Sequence, residues 1–382
     1  MAAKHREISE SDLKHWRLLD RFRQALAAKR GKVGKEEGRS RRGGPERKLL
    51  EEDYFSLILF SFFNPVLESM RGLCAASHFE NVQEKVCSRA VSLGSFSEAQ
   101  QVYDPDLLKE VFEELAGDFS VQNWGEERLK PLAQRLKLID GSLLPALPRM
   151  FWALWVDDEH RAAKLHLKFN VLTQSPCQAV VTAGNCCERK TLRKMLGKGE
   201  ILVGDRYYGL EYGFFNELRA VGVDAVFRVR NQPKIHVIEA MDVSEADRKA
   251  GVVWQAMVEL GDNWQGPPIR LVRVCADGKE LLLATGLELE AELIALIYLY
   301  RWQIELFFKW LKSILGCRHL LAESPRGVAI QIYCALIAAL LLQSLTGKRP
   351  NKRAMEAFAL HQMGLATEEE LLASLGAEKT RK

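Results

Sequence analysis

The sequence lacks the features that mark several common kinds of binding site. Among its 382 residues, no two cysteines have the C-x-x-C spacing, and the cysteines and histidines do not form a zinc-type pattern. The glycine-rich phosphate loop G-x-x-x-x-G-K-[ST] is also absent. These absences argue against a structural zinc module and against a P-loop nucleotide-binding protein.

Targeting signals and long uninterrupted apolar segments are scarce as well. The first seven residues lack the apolar core of a signal peptide, and the 8 cysteines are scattered along the chain. We therefore expect a cytoplasmic protein with reduced thiols. The apolar run at residues 328–345 is interrupted by Gln331 and Gln343, and it is short for a bilayer span of about 20 residues. It is predicted to be a buried helix, and no membrane contact is expected.

The small net charge of +4 is unevenly distributed along the chain. Residues 1–48 contain 15 Lys or Arg and 7 Asp or Glu, so the remainder of the chain is slightly acidic. Positive charge that is concentrated in one arm predicts a polyanionic partner. A solvated, disordered tail is the alternative interpretation of the same residues.

The patterns of apolar and turn-forming residues divide the chain into four regions. Residues 1–48 are typical of a helix followed by a basic arm, residues 49–130 are mostly helical, and residues 346–382 form a helical tail. In residues 131–345, three strands precede alternating helices and strands, which predicts an α/β fold with a mixed sheet flanked by helices. The stretch 231–288 departs from that alternation and is predicted to be a β-rich insertion. Its predicted strands are Ile235–Met241, Val252–Leu260, Ile269–Val274 and Leu281–Thr285.

Two of the predicted strands end in an acidic residue, the first in Asp140 and the second in Asp205. Ligands gather at the carboxyl ends of strands in α/β sheets, although one such acid alone could form a turn or a salt bridge. Together with Glu305 on a later helix, the two aspartates form a possible magnesium site, because Mg2+ prefers oxygen ligands. Two such ions about 3.5–4 Å apart can activate an attacking oxygen and stabilise a leaving oxygen in phosphodiester chemistry.

The segment from Tyr298 to Lys312, Y-L-Y-R-W-Q-I-E-L-F-F-K-W-L-K, is the most informative part of the chain. If it is one helix, a rotation of about 100° per residue places Tyr298, Arg301, Glu305 and Lys312 within an arc of roughly 60°. The other residues are mostly apolar, which predicts a largely buried helix crossed by one polar stripe. A metal ion and a phosphate backbone would explain such a stripe. The alternative is a solvated helix face on which Glu305 pairs with Arg301 or with Lys312.

This segment resembles the tyrosine–arginine–glutamate–lysine signature of the bacterial insertion-sequence DDE transposases of group four. The spacing Y-x-x-R-x-x-x-E-x-x-x-x-x-x-K is the same in both. The resemblance covers roughly residues 135–345 and extends to three other motifs. These are Asp140-Gly141-Ser142 for the first aspartate, Ala163-Lys164-Leu165-His166 for the second strand, and Asp205-Arg206-x-Tyr208 for the second aspartate.

The resemblance implies an RNase H-like mixed sheet, with the β-rich insertion placed before the helix that carries the catalytic glutamate. It implies that Asp140, Asp205 and Glu305 are catalytic and bind two Mg2+ ions, for which Mn2+ can substitute. The residues that would contact DNA are Tyr298, Arg206, Arg301 and Lys312. Residues 49–130 would bind the DNA end. In some relatives a tryptophan of the insertion stacks on a flipped base, and Trp254 and Trp264 are both candidates for that role.

The implied activity is cut-and-paste transposition, in which the protein cleaves transposon-end DNA and transfers the strand to target DNA. Excision through a hairpin intermediate, a homodimer in the synaptic complex, and a nucleoid-associated location in the cytoplasm are also implied. Two alternatives remain at this point. One is an RNase H-like metal nuclease that cuts without strand transfer, and the other is an inactive or domesticated derivative that only binds DNA.

Overall fold

The computed structural model describes residues 16–36, 49–64, 67–119, 127–157, 159–276, 278–362 and 364–376. The N-terminal part of the chain is helical, and most of the predicted basic arm, residues 37–48, lies outside the described residues. The helices of this part are α1 (Trp16–Glu36), α2 (Glu51–Ser61), α3 (Met70–Ala76), α4 (Glu80–Lys85), α5 (Leu93–Val102) and α6 (Pro105–Gly117).

In the described part of the chain, one nine-stranded sheet follows these helices. Its strands are β1 (Leu136–Ala146), β2 (Arg161–Asn170), β3 (Ser175–Ala183), β4 (Ile201–Gly204), β5 (Asp224–Arg228), β6 (Ile235–Met241), β7 (Val252–Leu260), β8 (Ile269–Ala276) and β9 (Lys279–Thr285). The spatial order is β3-β2-β1-β4-β5-β9-β8-β7-β6. Strands β1 to β3 pair antiparallel, whereas β4 pairs parallel with both β1 and β5. The predicted RNase H-like mixed sheet is thereby confirmed.

The four strands of the stretch 231–288 extend this same sheet. Strand β9 pairs antiparallel with β5, with Phe227 opposite Ala284, and β8, β7 and β6 continue outward as an antiparallel meander. Backbone hydrogen bonds therefore join the β-rich stretch to the sheet that contains Asp140.

Helices cover both faces of the sheet. The remaining helices are α7 (Glu188–Leu192), α8 (Gly213–Ala220), α9 (Glu245–Lys249), α10 (Ala291–Leu299), α11 (Trp302–Ser313), α12 (Pro325–Thr346), α13 (Lys352–Gln362) and α14 (Glu368–Gly376). Leu138 and Val203 share an apolar cluster with Phe307 of α11. The next residues along the strands, such as Ile139, belong to a second cluster with Phe214 of α8. Successive strand residues point to opposite faces, so one face packs against α11 and the other against α8.

Helix α12 contains the apolar run at residues 328–345. It is long and apolar enough to cross a membrane, but 89% of its most apolar window is buried inside the protein. Both glutamines bond to loop backbone: Gln331 donates to the carbonyl oxygen of His319 at 2.7 Å, and Gln343 donates to that of Thr173 at 2.7 Å. The prediction of a buried helix is confirmed.

The segment from Tyr298 to Lys312 is not one continuous helix, so the condition for its polar stripe is not met as stated. Helix α10 ends at Leu299, and α11 begins at Trp302. At the junction, the N–H of Arg301 donates to the carbonyl oxygen of Tyr298 at 3.0 Å, three residues back rather than four. Tyr300 and Arg301 keep right-handed helical backbone angles, so one tight turn joins the two helices.

Candidate active site

Asp140 lies in the middle of β1, so the prediction that this strand ends at Asp140 is wrong. Asp140 pairs with Leu167 of β2, and Gly141 and Ser142 continue the same ladder instead of turning. The pairing of β1 with β4 stops earlier, at Leu138 opposite Val203. Asp140 is therefore held by β2 on one side, at the point where β1 and β4 separate on the other.

Asp205 follows directly on β4, as the sequence predicts. Because β1 and β4 are parallel and Leu138 lies opposite Val203, Asp140 and Asp205 each lie two residues beyond the last pair. Neighbouring strands are about 4.8 Å apart, and the alternation of side chains directs both aspartates to the face covered by α11. The Asp205 carboxylate also accepts the N–H of Tyr207 at 2.9 Å, which fixes the turn after the strand.

Glu305 comes from the first turn of α11, on that same face. The helix is held against the sheet by Phe307, whose ring centroid lies 5.5 Å from that of Phe169 on β2. The carboxylate of Glu305 forms an ion pair with the Arg301 guanidinium at 2.5 Å, and its side chain remains 33% exposed. The alternative of an ion pair with Arg301 is thus what the structure contains, at the border between the core and solvent.

Both acidic and basic side chains lie near Asp140. The pKa of its carboxyl is raised to about 7: burial is the largest cause, the carboxylates of Asp205 and Glu188 add to the rise, and the hydrogen bond from the Gly141 N–H and the charge of Arg301 oppose it. The Gly141 N–H lies 2.8 Å from the Asp140 carboxylate oxygen. Asp140 is thus a partly buried carboxylate close to two others, in a place where a cation would be favourable.

The basic and aromatic members of the signature lie around the same point. The Arg301 guanidinium is 5.6 Å from the ring centroid of Tyr298, and burial raises the pKa of the Tyr298 hydroxyl. Burial lowers the pKa of Lys312, while the neighbouring Cys317 and Asp140 act to raise it. Arg206, next to Asp205, is exposed. Arg301 and Lys312 interact with Asp140, and Tyr298 interacts with Asp205, so residues from three separate parts of the sequence come near one another.

The three acids do not form a closed metal site in this structure. Within the described ranges, no group of three His, Cys, Asp or Glu side chains lies close enough together to hold a metal ion. The residues nevertheless fit a divalent cation, because carboxylate oxygens are the ligands that Mg2+ prefers and because the carboxylates of Asp205 and Glu188 add to the rise in the Asp140 pKa that burial causes.

The two candidate tryptophans lie near opposite ends of the strands. Trp264 is in the β7–β8 turn, where its indole N–H donates to the carbonyl oxygen of Pro267, which also accepts from Arg219 of α8. Trp254 lies on β7 opposite Arg273, and the register through β8 and β9 brings it level with the end of β5. Of the two, Trp254 is therefore the one at the end of the sheet where Asp205 follows β4.

Sequence patterns missed two features of this region. Glu188 of α7 lies against Gly141, and its carboxylate accepts the Tyr208 hydroxyl at 3.1 Å. The only sequence signal for this contact was the glycine next to each aspartate. The expectation that the apolar residues of the signature are mostly buried is also wrong for part of the set: Trp302 is 56% exposed, and Leu299 and Leu306 are exposed beside it.

Several known proteins are similar to this chain. Residues 132–341 match the family described as transposase DDE domain. The chain is 28% identical over 244 residues to "Putative transposase y4zB" of Sinorhizobium fredii, covering 62% of this chain and 67% of that one. It is 27% identical over 270 residues to "Putative transposase for insertion sequence element IS4SA" of Synechocystis sp., covering 67% and 72%. A cryo-EM structure of the piggyBac transposase synaptic complex with hairpin DNA is similar with a TM-score of 0.48 and 12% identity, covering 96% of this chain and 81% of that one.

Proposed function

The chain belongs to the transposase DDE domain family, and from that premise we propose which of its residues cleave DNA and how they do so. As a DNA transposase it is an enzyme that cuts DNA and transfers strands. The proposed reaction is cut-and-paste transposition of an insertion sequence, with Asp140, Asp205 and Glu305 as the catalytic acids.

The parallel register of β1 and β4 is the observation that supports this assignment most strongly. It brings two aspartates that are far apart in the sequence to the same level of adjacent strands. The glutamate of the signature comes from the helix that packs on the same face. In the absence of a cation, burial and the nearby Asp205 carboxylate both raise the pKa of Asp140.

Asp140, Asp205 and Glu305 would hold two divalent ions, Mg2+ with Mn2+ as a substitute, which when bound supply activation of the attacking oxygen and stabilisation of the leaving one. Arg301 and Lys312 would bind phosphates of the transposon end. Because Arg301 is already paired with Glu305, DNA binding would exchange that carboxylate for a phosphate on the guanidinium. Exposed Arg206 would contact the same backbone, and buried Tyr298 would support the Arg301 guanidinium.

The proposed partners are transposon-end DNA and target DNA, with a homodimer in the synaptic complex and a location at the nucleoid in the cytoplasm. Residues 1–48 and 49–130 would recognise the end, residues 131–345 would form the catalytic domain with its insertion at 231–288, and residues 346–382 would form the tail. Trp254 is the preferred candidate for stacking on a flipped base, because it lies at the edge of the sheet where Asp205 is found.

Incubation of the purified protein with DNA that contains the terminal sequence of its element tests this proposal. We expect Mg2+-dependent cleavage at the element's end, followed by joining of that end to a supercoiled target plasmid, and no cleavage of a scrambled end. Cleavage without joining would instead support a metal nuclease. Binding without cleavage would support a derivative that only binds DNA.

Replacing Lys312 by alanine should weaken end binding and flatten its salt dependence. If the ammonium contacts one phosphate, the slope of log Kd against log salt should fall by about 1. The measurement is fluorescence anisotropy with end DNA at several salt concentrations. Lys198→Ala is the matched control, because Lys198 precedes β4 at the opposite edge of the sheet. An unchanged slope in the Lys312 variant would exclude the phosphate contact.

A further inference from the structure

We propose that a hydrogen-bonded pair on the reverse face of the sheet, the Glu188 carboxylate and the Tyr208 hydroxyl, sets the positions of the two catalytic aspartates. We call this pair the brace. Neither residue would touch DNA or a metal ion, so both are positioning residues. The inference rests on the proposed function, because it assumes that Asp140 and Asp205 act together.

Glu188 lies directly behind the strand position next to Asp140. A Cβ added at Gly141 would be 2.7 Å from a carboxylate oxygen of Glu188, closer than a real side chain could come. The same carboxylate oxygen is 3.4 Å from the Lys164 ammonium of β2, and only 15% of the Glu188 side chain is exposed. Glu188 is thus anchored against β1 and β2, and the absence of a side chain at Gly141 makes room for it.

Tyr208 lies in the corresponding place behind the strand that leads to Asp205. Its ring is buried and packs against Phe227 of β5, with the centroids 5.7 Å apart. A Cβ added at Gly204, the residue before Asp205, would be 2.8 Å from that ring. The Tyr208 hydroxyl donates to the other carboxylate oxygen of Glu188 at 3.1 Å. The residue next to each aspartate is therefore a glycine, and its missing side chain leaves room for Glu188 or Tyr208.

The brace connects two segments that backbone pairing leaves apart. The β1–β4 ladder ends at Leu138 opposite Val203, so no strand pair fixes the distance between Asp140 and Asp205. Their carboxylates are like charges and repel one another. The Glu188–Tyr208 bond crosses the gap at the level of the aspartates, from the face opposite to α11. Loss of this bond should disturb ion binding and the cleavage rate while leaving the DNA-binding surface intact.

Tyr208→Phe tests the brace, because it removes only the hydroxyl and keeps the buried ring. Tyr207→Phe is the matched control, since the neighbouring Tyr207 hydroxyl lies 3.4 Å from the Cys187 sulfur and makes no part of the brace. Thermal unfolding of each protein in a Mn2+ titration measures ion binding without relying on activity. Kd for end DNA in the absence of divalent ions and the single-turnover cleavage rate are measured in parallel.

We expect Tyr208→Phe to raise the Mn2+ concentration for half-maximal stabilisation about tenfold, as for other residues that orient metal ligands. Cleavage should slow by a similar factor at limiting Mn2+, with Kd for end DNA within about twofold of wild type. Tyr207→Phe should match wild type in every measurement. An unchanged Mn2+ response of Tyr208→Phe, or an equal loss in Tyr207→Phe, would overturn the brace. Failure of the wild-type protein to cleave end DNA despite a normal Mn2+ response would instead overturn the proposed function.

A second pair of variants separates the hydrogen bond from simple support of the fold. Glu188→Gln keeps an oxygen that can accept the Tyr208 hydroxyl, whereas Glu188→Ala does not. The Mn2+ response should stay within about threefold of wild type in the first variant and weaken at least about tenfold in the second. Equal weakening in both would assign the effect to the charge of Glu188 and would overturn the proposed role of the hydrogen bond.

Discussion

Replacing Glu305 by glutamine should abolish DNA cleavage while leaving the binding of end DNA nearly unchanged. The amide has the size of the carboxylate but neither its charge nor its affinity for a hard cation. Because stabilisation of charge at the reacting phosphate supplies most of the catalysis, we expect a loss of at least about 10³-fold in the cleavage rate. The measurement is single-turnover cleavage of labelled end DNA in Mg2+, with gel-shift titrations in EDTA.

The contacts of Glu305 sharpen this test. Its carboxylate pairs with Arg301, so the glutamine variant frees the guanidinium, and binding of end DNA without metal should be equal to or slightly tighter than that of wild type. Glu323→Gln is the matched control, since Glu323 forms an ion pair with Arg149 at the surface and is not one of the predicted site residues. A Glu305→Gln variant that retained more than about a tenth of the rate would remove Glu305 from the catalytic acids.

Local sequence patterns were sufficient for the elements whose structure depends on local residues. Strands β6 (Ile235–Met241) and β7 (Val252–Leu260) have the predicted bounds, because alternating or apolar residues are bounded there by turn-formers. Asp205 could be placed at a strand end because the preceding residues 201–204 are Ile-Leu-Val-Gly, an apolar run that predicts a buried strand. All four are buried in the structure. The α/β order of the chain could likewise be predicted from the succession of these patterns.

Contacts between distant parts of the chain explain what could not be predicted. Asp-Gly-Ser at residues 140–142 is typical of a turn, but pairing with β2 keeps β1 extended to Ala146. Apolar Trp302 was expected to be buried, yet a helix buries only the face that its neighbours cover. Glu188 has no local signature, since its role depends on a glycine 47 residues earlier in the sequence that lies next to it in the fold.

Replacing Asp140 by asparagine should abolish cleavage and, in the absence of divalent ions, stabilise the fold. The Asp140 carboxylate is partly buried, and its pKa is raised to about 7, chiefly by desolvation and further by the nearby carboxylates of Asp205 and Glu188. A neutral amide of the same shape removes this unfavourable charge, so the free energy of unfolding should rise by about 1–3 kcal/mol. Cleavage should fall at least about 10³-fold, because the site loses one of its ligands.

The response to divalent ions distinguishes the loss of a cation ligand at Asp140 from a general change in stability. Mn2+ should stabilise the wild-type protein through binding to the native state but should have little effect on Asp140→Asn, so the difference in Tm should shrink or reverse as Mn2+ is added. Asp157→Asn is the control of opposite sign: hydrogen bonds from His160 lower the pKa of this exposed carboxyl, so its loss should not stabilise the fold. If Asp140→Asn were less stable than wild type without ions, the Asp140 carboxylate would already be compensated by its neighbours. We thus expect the Asp140 carboxylate to lower the stability of the ion-free fold and to be required for binding a cation, as is common at functional sites.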